Sequence, residues 1–155
     1  MKIGIGYDSH RFIEGDHVMI GGVKIPYSKG IKAHSDGDVL LHAIGDALLG
    51  AAALGDLGRH FPDTDNAFKD ISSSELIQQI MQRVKDKNYK VGNVDATVIA
   101  EKPRLSKYIN DMCEHIAKLL EIPVDCVNVK GTTNEKMGWI GREEGLAAQA
   151  VVSLM

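Results

Sequence analysis

The segment 38–53 constrains the fold of this chain more than any other, because it predicts a long helix built mainly from apolar residues. Ser35 and Asp38 have the spacing of a capping box, so we expect the helix to begin near Asp36. We expect it to end at the glycine-bearing segment 54–58. Its apolar packing side chains are Val39, Leu40, Ile44, Leu48 and Leu49.

One face of this helix is polar, with Asp38, His42 and Asp46 spaced one turn apart. Two interpretations of His42 remain open. It is either a core histidine whose ring nitrogens are satisfied by one of the two aspartates, since partly buried histidines are common, or a metal ligand. In the second case Asp38 or Asp46 would accept the other N–H of the ring and fix its tautomer.

The rest of the chain alternates between strand and helix patterns. The segment 2–12 is β-permissive and predicts a strand, whereas 59–69 contains too many turn formers for regular structure and predicts a surface loop. Alternation, glycine turns and i, i+3, i+4 spacing predict the remaining elements. They are the hairpin 18–25, the helices 72–87 and 105–120, and the strands 89–99, 127–132 and 145–154.

These elements predict one α/β domain that covers residues 1–155. Because strands alternate with helices while the early strands form a hairpin, we expect a sandwich of helices against a mixed β-sheet. Aromatic residues make up only 5% of the chain, and the strands are rich in small residues. This composition suggests the hypothesis that one face of the sheet packs against another subunit.

Composition excludes several classes of protein. A formal net charge of -3 gives no general electrostatic reason to bind nucleic acid. No apolar segment is long enough for a signal peptide or a membrane span, so we expect a cytoplasmic protein without a membrane partner. Cys113 and Cys126 lack the spacing of a metal site, and we expect both to be buried, reduced thiols.

Three residues that are far apart in the sequence form a candidate zinc site. Asp8 and His10 share one face of an extended segment, because side chains alternate along a strand. With His42 they offer two imidazole nitrogens and one carboxylate, a set that suits Zn²⁺ and leaves a fourth tetrahedral position open. The spacing alone is weak, since an Asp-x-His pair and a distant helical histidine also occur in proteins without metal.

Four separated motifs follow one another along the chain. They are Gly-Tyr-Asp-Ser-His-Arg-Phe at 6–12, Ala-His-Ser-Asp-Gly-Asp-Val-Leu-Leu-His at 33–42, Gly-Asp-Leu-Gly-Arg-His-Phe-Pro-Asp-Thr-Asp at 55–65 and Thr-Thr-Asn-Glu-Lys-Met-Gly at 132–138. Together, and in this order, they resemble the 2-C-methyl-D-erythritol 2,4-cyclodiphosphate synthases of the non-mevalonate isoprenoid pathway. The resemblance extends from one end of the chain to the other.

The resemblance implies a homotrimer whose sheets face the three-fold axis and whose active sites lie between neighbouring subunits. Such a lyase converts 4-diphosphocytidyl-2-C-methyl-D-erythritol 2-phosphate into the cyclic 2,4-diphosphate and CMP, by in-line attack of the 2-phosphate on the β-phosphorus. This nucleophile is already anionic at neutral pH, so no Ser-His-Asp or Cys-His arrangement is needed to create it. Positioning and cations carry out the remaining work.

The resemblance also assigns cations and catalytic residues. The candidate zinc site becomes the Zn²⁺ site of the family, and Glu135 matches the ligand of a second cation, Mg²⁺ or Mn²⁺. His34 and Thr133 match catalytic positions that stabilise the transition state. His34 and Ser35 would lie beside the 2-phosphate at the helix start, where backbone N–H groups favour anions. Without the resemblance, Ser35 is only a cap, and Glu135 and Thr133 are turn residues.

Substrate-binding residues follow from the same resemblance. The phosphate and methylerythritol side comprises Asp8, Ser9, His10, His34, Ser35, Asp56, Leu57, Gly58, Phe61, Pro62, Asp63, Thr64 and Asp65. The cytidine and α-phosphate pocket comprises Ala100, Glu101, Lys102, Pro103, Arg104, Leu105, Ser106, Thr132 and Thr133, and Asn134, Glu135, Trp139 and Arg142 complete the set. Arg104 stands where the family often has lysine, and arginine keeps the charge while it can contact phosphate in two places.

Trp139 and Arg142 align with a segment near the trimer axis of the family, where a hydrophobic passage contains an anion-binding arginine. An isoprenoid diphosphate is the candidate ligand there. The alternative is that Trp139, which replaces the usual phenylalanine, is a packing residue and that Arg142 is a surface charge. Both interpretations stay open.

Two competing functions are also open. A metal-dependent phosphohydrolase would use the same cations to activate water, but such sites usually hold two metal ions bridged by several carboxylates. In a non-catalytic oligomer, the zinc site would be purely structural, so chelation would unfold or dissociate the protein. A lyase would instead lose turnover and keep its fold.

Overall fold

The computed structural model describes residues 1–62 and 71–155, which contain seven strands, five α-helices and one short 3-10 helix (Val124–Cys126). The strands are β1 (Lys2–Glu14), β2 (His17–Ile20), β3 (Val23–Pro26), β4 (Lys29–Ile31), β5 (Val91–Ile99), β6 (Val127–Thr132) and β7 (Gly145–Leu154). The helices are α1 (Val39–Ala51), α2 (Leu57–His60), α3 (Ser73–Asp86), α4 (Ile109–Leu120) and α5 (Gly138–Gly141).

Five of the strands make one mixed sheet in the order β4-β1-β7-β5-β6. Strands β5 and β6 run parallel, which requires a crossover, and α4 lies in that connection. The other neighbouring strands of the sheet are antiparallel. Strands β2 and β3 form a separate hairpin through Gly21 and Gly22, whose positive φ angles of 61° and 76° suit a type I′ turn. The prediction of an α/β fold with a mixed sheet is confirmed.

Strand β1 packs against helix α1 through two glycines. Gly4 and Gly6 occupy buried positions of the strand. A Cβ atom added at Gly4 would lie 2.0 Å from the carbonyl oxygen of Ala47, and one at Gly6 would lie 2.0 Å from that of Ala43. Because no side chain fits at either position, glycine lets the strand backbone approach the helix backbone closely. Polar side chains further along the strand are thereby brought within reach of the helix.

The opposite face of β1 is apolar and exposed. Ile3, Ile5 and Tyr7 are 65%, 67% and 53% exposed. Val151 of β7, which is paired with Ile5, is 42% exposed. We call these four residues the apolar sheet face. A contiguous exposed apolar patch of this kind is typical of a surface that another chain covers, which agrees with the hypothesis drawn from composition.

Most predicted elements are present with bounds close to those expected. The first strand, the hairpin and the strands β5, β6 and β7 are confirmed. In helix α3, Ser72 and Glu75 form a capping box at the predicted helix start. The apolar residues of its packing face are all buried, and they are Leu76, Ile77, Ile80, Met81 and Val84.

The predicted capping box at Ser35 is wrong. The cap of α1 is Asp38, whose carboxylate accepts the backbone N–H of Leu41 at 3.0 Å. The same carboxylate accepts the N–H groups of Gly21 at 2.8 Å and Gly22 at 2.6 Å in the hairpin turn. Asp38 is preferred because one carboxylate satisfies both the helix start and the hairpin. The helix therefore begins later than predicted.

Helix α4 also begins later than predicted, at Ile109 rather than Leu105. A turn precedes it, closed by a hydrogen bond of 2.8 Å from the N–H of Tyr108 to the carbonyl of Leu105. Strand β4 and helix α5 were not predicted. They contain three and four residues, which is too short for a periodic pattern.

The predicted surface loop 59–69 begins with regular structure. Helix α2 covers its first two residues, because Asp56 caps this helix by accepting the N–H of Arg59 at 2.9 Å. The prediction is therefore wrong for Arg59 and His60. Residues 63–69 of the predicted loop lie outside the described residues.

Cys113 and Cys126 are free, as predicted for reduced thiols, although they are partly rather than fully buried. Burial raises the pKa of the Cys113 thiol, which keeps it in its less reactive protonated form. In residues 1–62 and 71–155, no helix combines the length and the apolar character needed to cross a bilayer.

Candidate functional site

Side chains from strand β1 and helix α1 converge at one point. Asp8 and His10 share the face of β1 on which Gly4 and Gly6 lie, and His42 projects from the start of α1. The Oδ2 atom of Asp8 is 2.9 Å from Nε2 of His10 and 3.0 Å from Nδ1 of His42. The two histidine nitrogens are 3.2 Å apart. We call Asp8, His10 and His42 the metal cluster.

The geometry of the metal cluster fits a tetrahedral zinc ion. Ligand atoms about 2.0 Å from zinc at the corners of a tetrahedron lie about 3.3 Å from one another. The observed distances of 2.9, 3.0 and 3.2 Å are close to that value. The side chains of Asp8, His10 and His42 are 26%, 16% and 13% exposed, so a small ligand can reach them. Within the described residues, these three are the group that could hold a metal ion.

Electrostatics in the metal cluster favours an ionised Asp8. Burial raises the pKa of Asp8, but hydrogen bonds and charge interactions with His10 and His42 outweigh burial and hold this pKa well below its ordinary value. Burial lowers the pKa of His42, but Asp8 raises it above its ordinary value, with contributions from Asp38 and Asp36. A divalent cation would take the place of the protons that these groups otherwise share.

The aspartates predicted to orient His42 bind other groups. The carboxylate of Asp38 is fully buried against backbone N–H groups of α1 and of the hairpin. The carboxylate of Asp46 accepts the backbone N–H of Leu57 at 2.8 Å and so anchors the start of α2. Within the part of the chain that the structure describes, the prediction that Asp38 or Asp46 fixes the His42 tautomer through a hydrogen bond is therefore wrong.

The outer ring nitrogen of His42 instead faces a serine that the sequence did not indicate. Nε2 of His42 lies 2.9 Å from Oγ of Ser73, the first residue of α3, and 3.3 Å from Oγ of Ser35. Ser73 is fully buried. The sequence contains a signal only for the cap at Ser72, because the approach of α3 to α1 is a tertiary contact that no local pattern encodes.

Residues of the predicted phosphate side lie at different places around the metal cluster. Ser35 reaches His42, and His34 is exposed next to it. Because α1 begins at Val39, His34 and Ser35 precede the helix N-terminus and do not form it. Ser9 lies on the opposite face of β1 from the metal cluster, since side chains alternate along a strand.

Helix α2 and the residues after it contain several of the predicted substrate-binding residues. Asp56 and Gly58 are exposed, and Leu57 is partly buried. Phe61 is only 7% exposed and packs in the hydrophobic core, whereas Pro62 is partly buried. The predicted substrate-binding residues that lie outside the described part of the chain are Asp63, Thr64 and Asp65.

A second group of predicted residues lies where the parallel strands β5 and β6 end. The backbone N–H of Ala100 donates to the carbonyl of Thr132 at 3.0 Å, so the segments 100–106 and 132–135 leave the sheet side by side. The carboxyl ends of parallel strands are frequent ligand-binding positions. We call these two segments the nucleotide group.

The side chain of Glu101 binds backbone N–H groups of the turn that follows β6. One oxygen of its carboxylate accepts the backbone N–H groups of Asn134 at 2.9 Å and Lys136 at 3.2 Å. Glu135 and Lys136 have φ angles of 51° and 62°, a left-handed conformation that is unfavourable for residues with a side chain. The Glu101 carboxylate stabilises this turn, which holds Glu135 beside Thr133, with 3.4 Å between their side-chain oxygens.

Other residues of the nucleotide group differ in exposure. Ala100 and Leu105 are buried in the core, and Pro103 is partly buried. Lys102 forms an ion pair of 3.4 Å with Glu143. The residues whose side chains are exposed are Lys102, Arg104 and Ser106. The positively charged side chains of this segment are Arg104 and Lys102, and Lys102 is paired with Glu143.

Trp139 and Arg142 lie on and just after α5. Trp139 is 37% exposed, and Nε of Arg142 donates to the carboxylate of Glu144 at 2.6 Å. The guanidinium is thus paired with a neighbour two residues away. This contact is compatible with Arg142 as a surface charge. It is also compatible with an anion site, in which Glu144 would have to release the guanidinium.

The metal cluster and the nucleotide group lie at the same end of the sheet but on different strands. His10 is paired with Leu146 on β7, and Ile99 at the end of β5 is paired with the next residue, Ala147. Since neighbouring strands are about 4.8 Å apart, the ends of β5 and β6 lie about 10 to 14 Å from β1. Among the described residues, no hydrogen bond joins the two groups.

Comparison with known proteins covers the whole chain. The model of the YgbB family matches residues 1–155. A curated 2-C-methyl-D-erythritol 2,4-cyclodiphosphate synthase from Methylococcus capsulatus is 60% identical over 153 residues, which are 99% of this chain and 97% of the relative. Both the metal cluster and the nucleotide group lie within the matched residues.

Two solved structures are similar to the fold. The bifunctional IspDF from Campylobacter jejuni matches 99% of this chain with a TM-score of 0.95 and 44% identity, and this chain spans 42% of that longer one. IspF from Plasmodium falciparum, in complex with CDP, matches 99% of this chain and 95% of its own with a TM-score of 0.86 and 34% identity.

Proposed function

Because the chain belongs to the YgbB family and its curated relatives are named 2-C-methyl-D-erythritol 2,4-cyclodiphosphate synthase, we propose that it makes this cyclic diphosphate and CMP from 4-diphosphocytidyl-2-C-methyl-D-erythritol 2-phosphate. The chain is an enzyme of that family, as its sequence predicted. The reaction would be a metal-dependent step of isoprenoid biosynthesis.

The metal cluster is the observation that carries this proposal. Its three ligand atoms lie 2.9, 3.0 and 3.2 Å apart and remain partly exposed. A site with three protein ligands and one open position is typical of catalytic zinc, whereas structural zinc usually has four protein ligands. Within the described residues the group offers three, which favours catalysis over a purely structural zinc site.

The proposed reaction needs no nucleophile from the protein. An oxygen of the substrate's 2-phosphate attacks the β-phosphorus and forms the P–O bond that closes the ring. The bond from the β-phosphorus to the bridging oxygen breaks, and CMP leaves with its electron pair. The protein has to hold a polyanion folded for in-line attack and to balance its charge.

Residues around the metal cluster would perform this work. When bound, Zn²⁺ supplies Lewis-acid polarisation of the β-phosphorus. His34 and Ser35, on the loop beside the cluster, would position the 2-phosphate. Glu135 would anchor a second divalent cation, Mg²⁺ or Mn²⁺, that phosphates and water also bind. Thr133, whose hydroxyl is 3.4 Å from the Glu135 carboxylate, would donate to the charge that develops on the phosphates.

The nucleotide group would bind the CMP half of the substrate. A relative of known structure, IspF from Plasmodium falciparum, forms a complex with CDP. Backbone groups at the ends of β5 and β6 offer fixed donors and acceptors to a pyrimidine edge, and the exposed Lys102 and Arg104 offer charge to the α-phosphate. Glu101 would serve this pocket indirectly, by stabilising the turn at 133–136.

A neighbouring subunit of a homotrimer would complete each active site. Within one chain the metal cluster and the nucleotide group are separated by strand β7, and no hydrogen bond of the described residues joins them. The apolar sheet face is the surface that a second copy would cover. In this arrangement Trp139 and Arg142 would lie near the three-fold axis, where an isoprenoid diphosphate is the candidate ligand.

Replacing Ile5 by aspartate should dissociate the trimer and lower activity with it. Ile5 is 67% exposed at the centre of the apolar sheet face, and a carboxylate buried there without a partner would be strongly unfavourable. Light scattering should give three times the chain mass of 16.9 kDa for the wild type and less for the variant. Val124→Asp is the control, since Val124 is 50% exposed outside this face. A trimeric Ile5→Asp protein would contradict the proposed interface.

The reaction itself can be tested with purified protein, Zn²⁺ and Mg²⁺. Incubation with 4-diphosphocytidyl-2-C-methyl-D-erythritol 2-phosphate should give equal amounts of CMP and cyclic diphosphate, which phosphorus NMR distinguishes from inorganic phosphate. Release of inorganic phosphate would identify a phosphohydrolase instead. Chelation should stop turnover and leave the circular dichroism spectrum and the molar mass unchanged. Unfolding or dissociation on chelation would identify a structural zinc site.

A further inference from the structure

The outer nitrogen of His42 has a partner of its own. Nδ1 of His42 faces Asp8 and His10, so Nε2 is the nitrogen that points away from the metal cluster. Nε2 lies 2.9 Å from Oγ of Ser73, which is fully buried at the start of α3. The hydroxyl of Ser35 is further away, at 3.3 Å. Ser73 is therefore the nearer hydrogen-bond partner of this nitrogen.

Ser73 is itself held by Asp36. The backbone N–H of Ser73 donates to Oδ2 of Asp36 at 3.0 Å, and the Ser73 hydroxyl contacts Oδ1 of the same carboxylate. An ionised carboxylate only accepts hydrogen bonds, so the hydroxyl proton of Ser73 points at Asp36. The Ser73 oxygen is then left to accept, and the group beside it is Nε2 of His42. The contacts of Ser73 with Asp36 therefore favour His42 as the donor to Ser73 through Nε2.

This arrangement selects one tautomer of His42. With the proton on Nε2, the lone pair is on Nδ1 and points toward Asp8 and His10, as a metal ligand requires. We propose that Ser73, oriented by Asp36, is a positioning residue that holds His42 in this tautomer and sets the affinity of the metal cluster for its cation. The inference rests on the metal binding in the proposed function. It replaces the aspartates that the sequence predicted for this role.

The chain offers a matched control for a test. Ser74 follows Ser73 in α3, and its Oγ lies 2.9 Å from Nε2 of His115, a histidine outside the metal cluster. Ser73→Ala and Ser74→Ala therefore each remove one serine–histidine contact from the same helix turn. Zinc affinity of the full chain, measured by competition with a chelator of known affinity, should fall about 10- to 100-fold for Ser73→Ala. Ser74→Ala should bind zinc as the wild type does.

An equal zinc affinity of wild type and Ser73→Ala would overturn the inference and show that Ser73 has only a structural role in α3. Should Ser73→Ala fail to fold, nitrogen-15 NMR of the histidines in the zinc-free wild type at alkaline pH still decides, because no metal ion then fixes the tautomer. The inference requires a proton on Nε2 of His42 and none on Nδ1, and the reverse pattern would overturn it. A wild type that binds zinc and forms no cyclic diphosphate would refute the proposed function and leave this inference standing.

Discussion

Replacing His42 by alanine is expected to abolish zinc binding and to lower turnover by at least about 10³-fold. His42 supplies one of the three ligand atoms, and Asp8 and His10 alone form an incomplete site. A bound cation stabilises the charge of the transition state by several kcal/mol, and each 1.4 kcal/mol corresponds to about tenfold in rate. Zinc content by mass spectrometry and the rate of CMP release measure the two effects.

The same variant should remain folded. Alanine has the highest helix propensity, and Asp8 keeps its contact of 2.9 Å with His10. We expect a loss of about 1 to 2 kcal/mol in the free energy of unfolding, mainly from the hydroxyl of Ser73 that loses its partner. His17→Ala is the control, because His17 pairs with Asp16 away from the metal cluster. Stoichiometric zinc and normal turnover in His42→Ala would show that the metal cluster is not the catalytic site.

Local periodicity accounts for part of the metal cluster. Side-chain alternation along a strand predicts that Asp8 and His10 share one face, and they do share it in β1. Helical periodicity predicts His42 on a polar face of α1, as observed. Neither pattern indicates that the strand meets the helix at these residues. That expectation came from the resemblance of four motifs to a known family, which draws on information about whole chains.

The sequence did not show which distant segments of the chain contact each other. The sequence predicted Ser35 as the cap of α1, whereas Asp38 caps the helix because its carboxylate also binds the hairpin turn at Gly21 and Gly22. Ser73 is one of three serines at the start of α3, and its place beside His42 depends on how α3 packs on α1. A residue's local pattern carries no information of this kind, because the partner is many positions away.

Strand β1 also shows why alternation alone is ambiguous. One face of β1 carries Gly4 and Gly6, and the other carries Ile3, Ile5 and Tyr7. Hydrophobicity alone would favour burial of the second face. The structure buries the glycine face against α1 and exposes the apolar one. The reason is the close approach of strand and helix, together with a surface that the proposed trimer would cover.

Replacing Gly6 by alanine is expected to destabilise the chain by about 3 kcal/mol or more and to weaken zinc binding. The new Cβ would lie 2.0 Å from the carbonyl oxygen of Ala43 and 2.8 Å from the backbone nitrogen of Ala47, so α1 would have to move away from β1. Ala43 follows His42 directly, so this movement would separate His42 from Asp8. Urea unfolding gives the loss of stability, and chelator competition gives the loss of zinc affinity.

Gly50→Ala tests whether the effect of Gly6→Ala comes from the strand–helix approach or from any added methyl group. Gly50 is an exposed residue of the same helix, and a Cβ there would meet its nearest neighbour, the carbonyl oxygen of Ile5, only at 4.0 Å. Alanine should stabilise this position by up to about 1 kcal/mol, because glycine is a poor helix former. If Gly6→Ala were as stable as Gly50→Ala and bound zinc equally well, β1 and α1 would not need to touch. The metal cluster would then depend on some other constraint for its geometry.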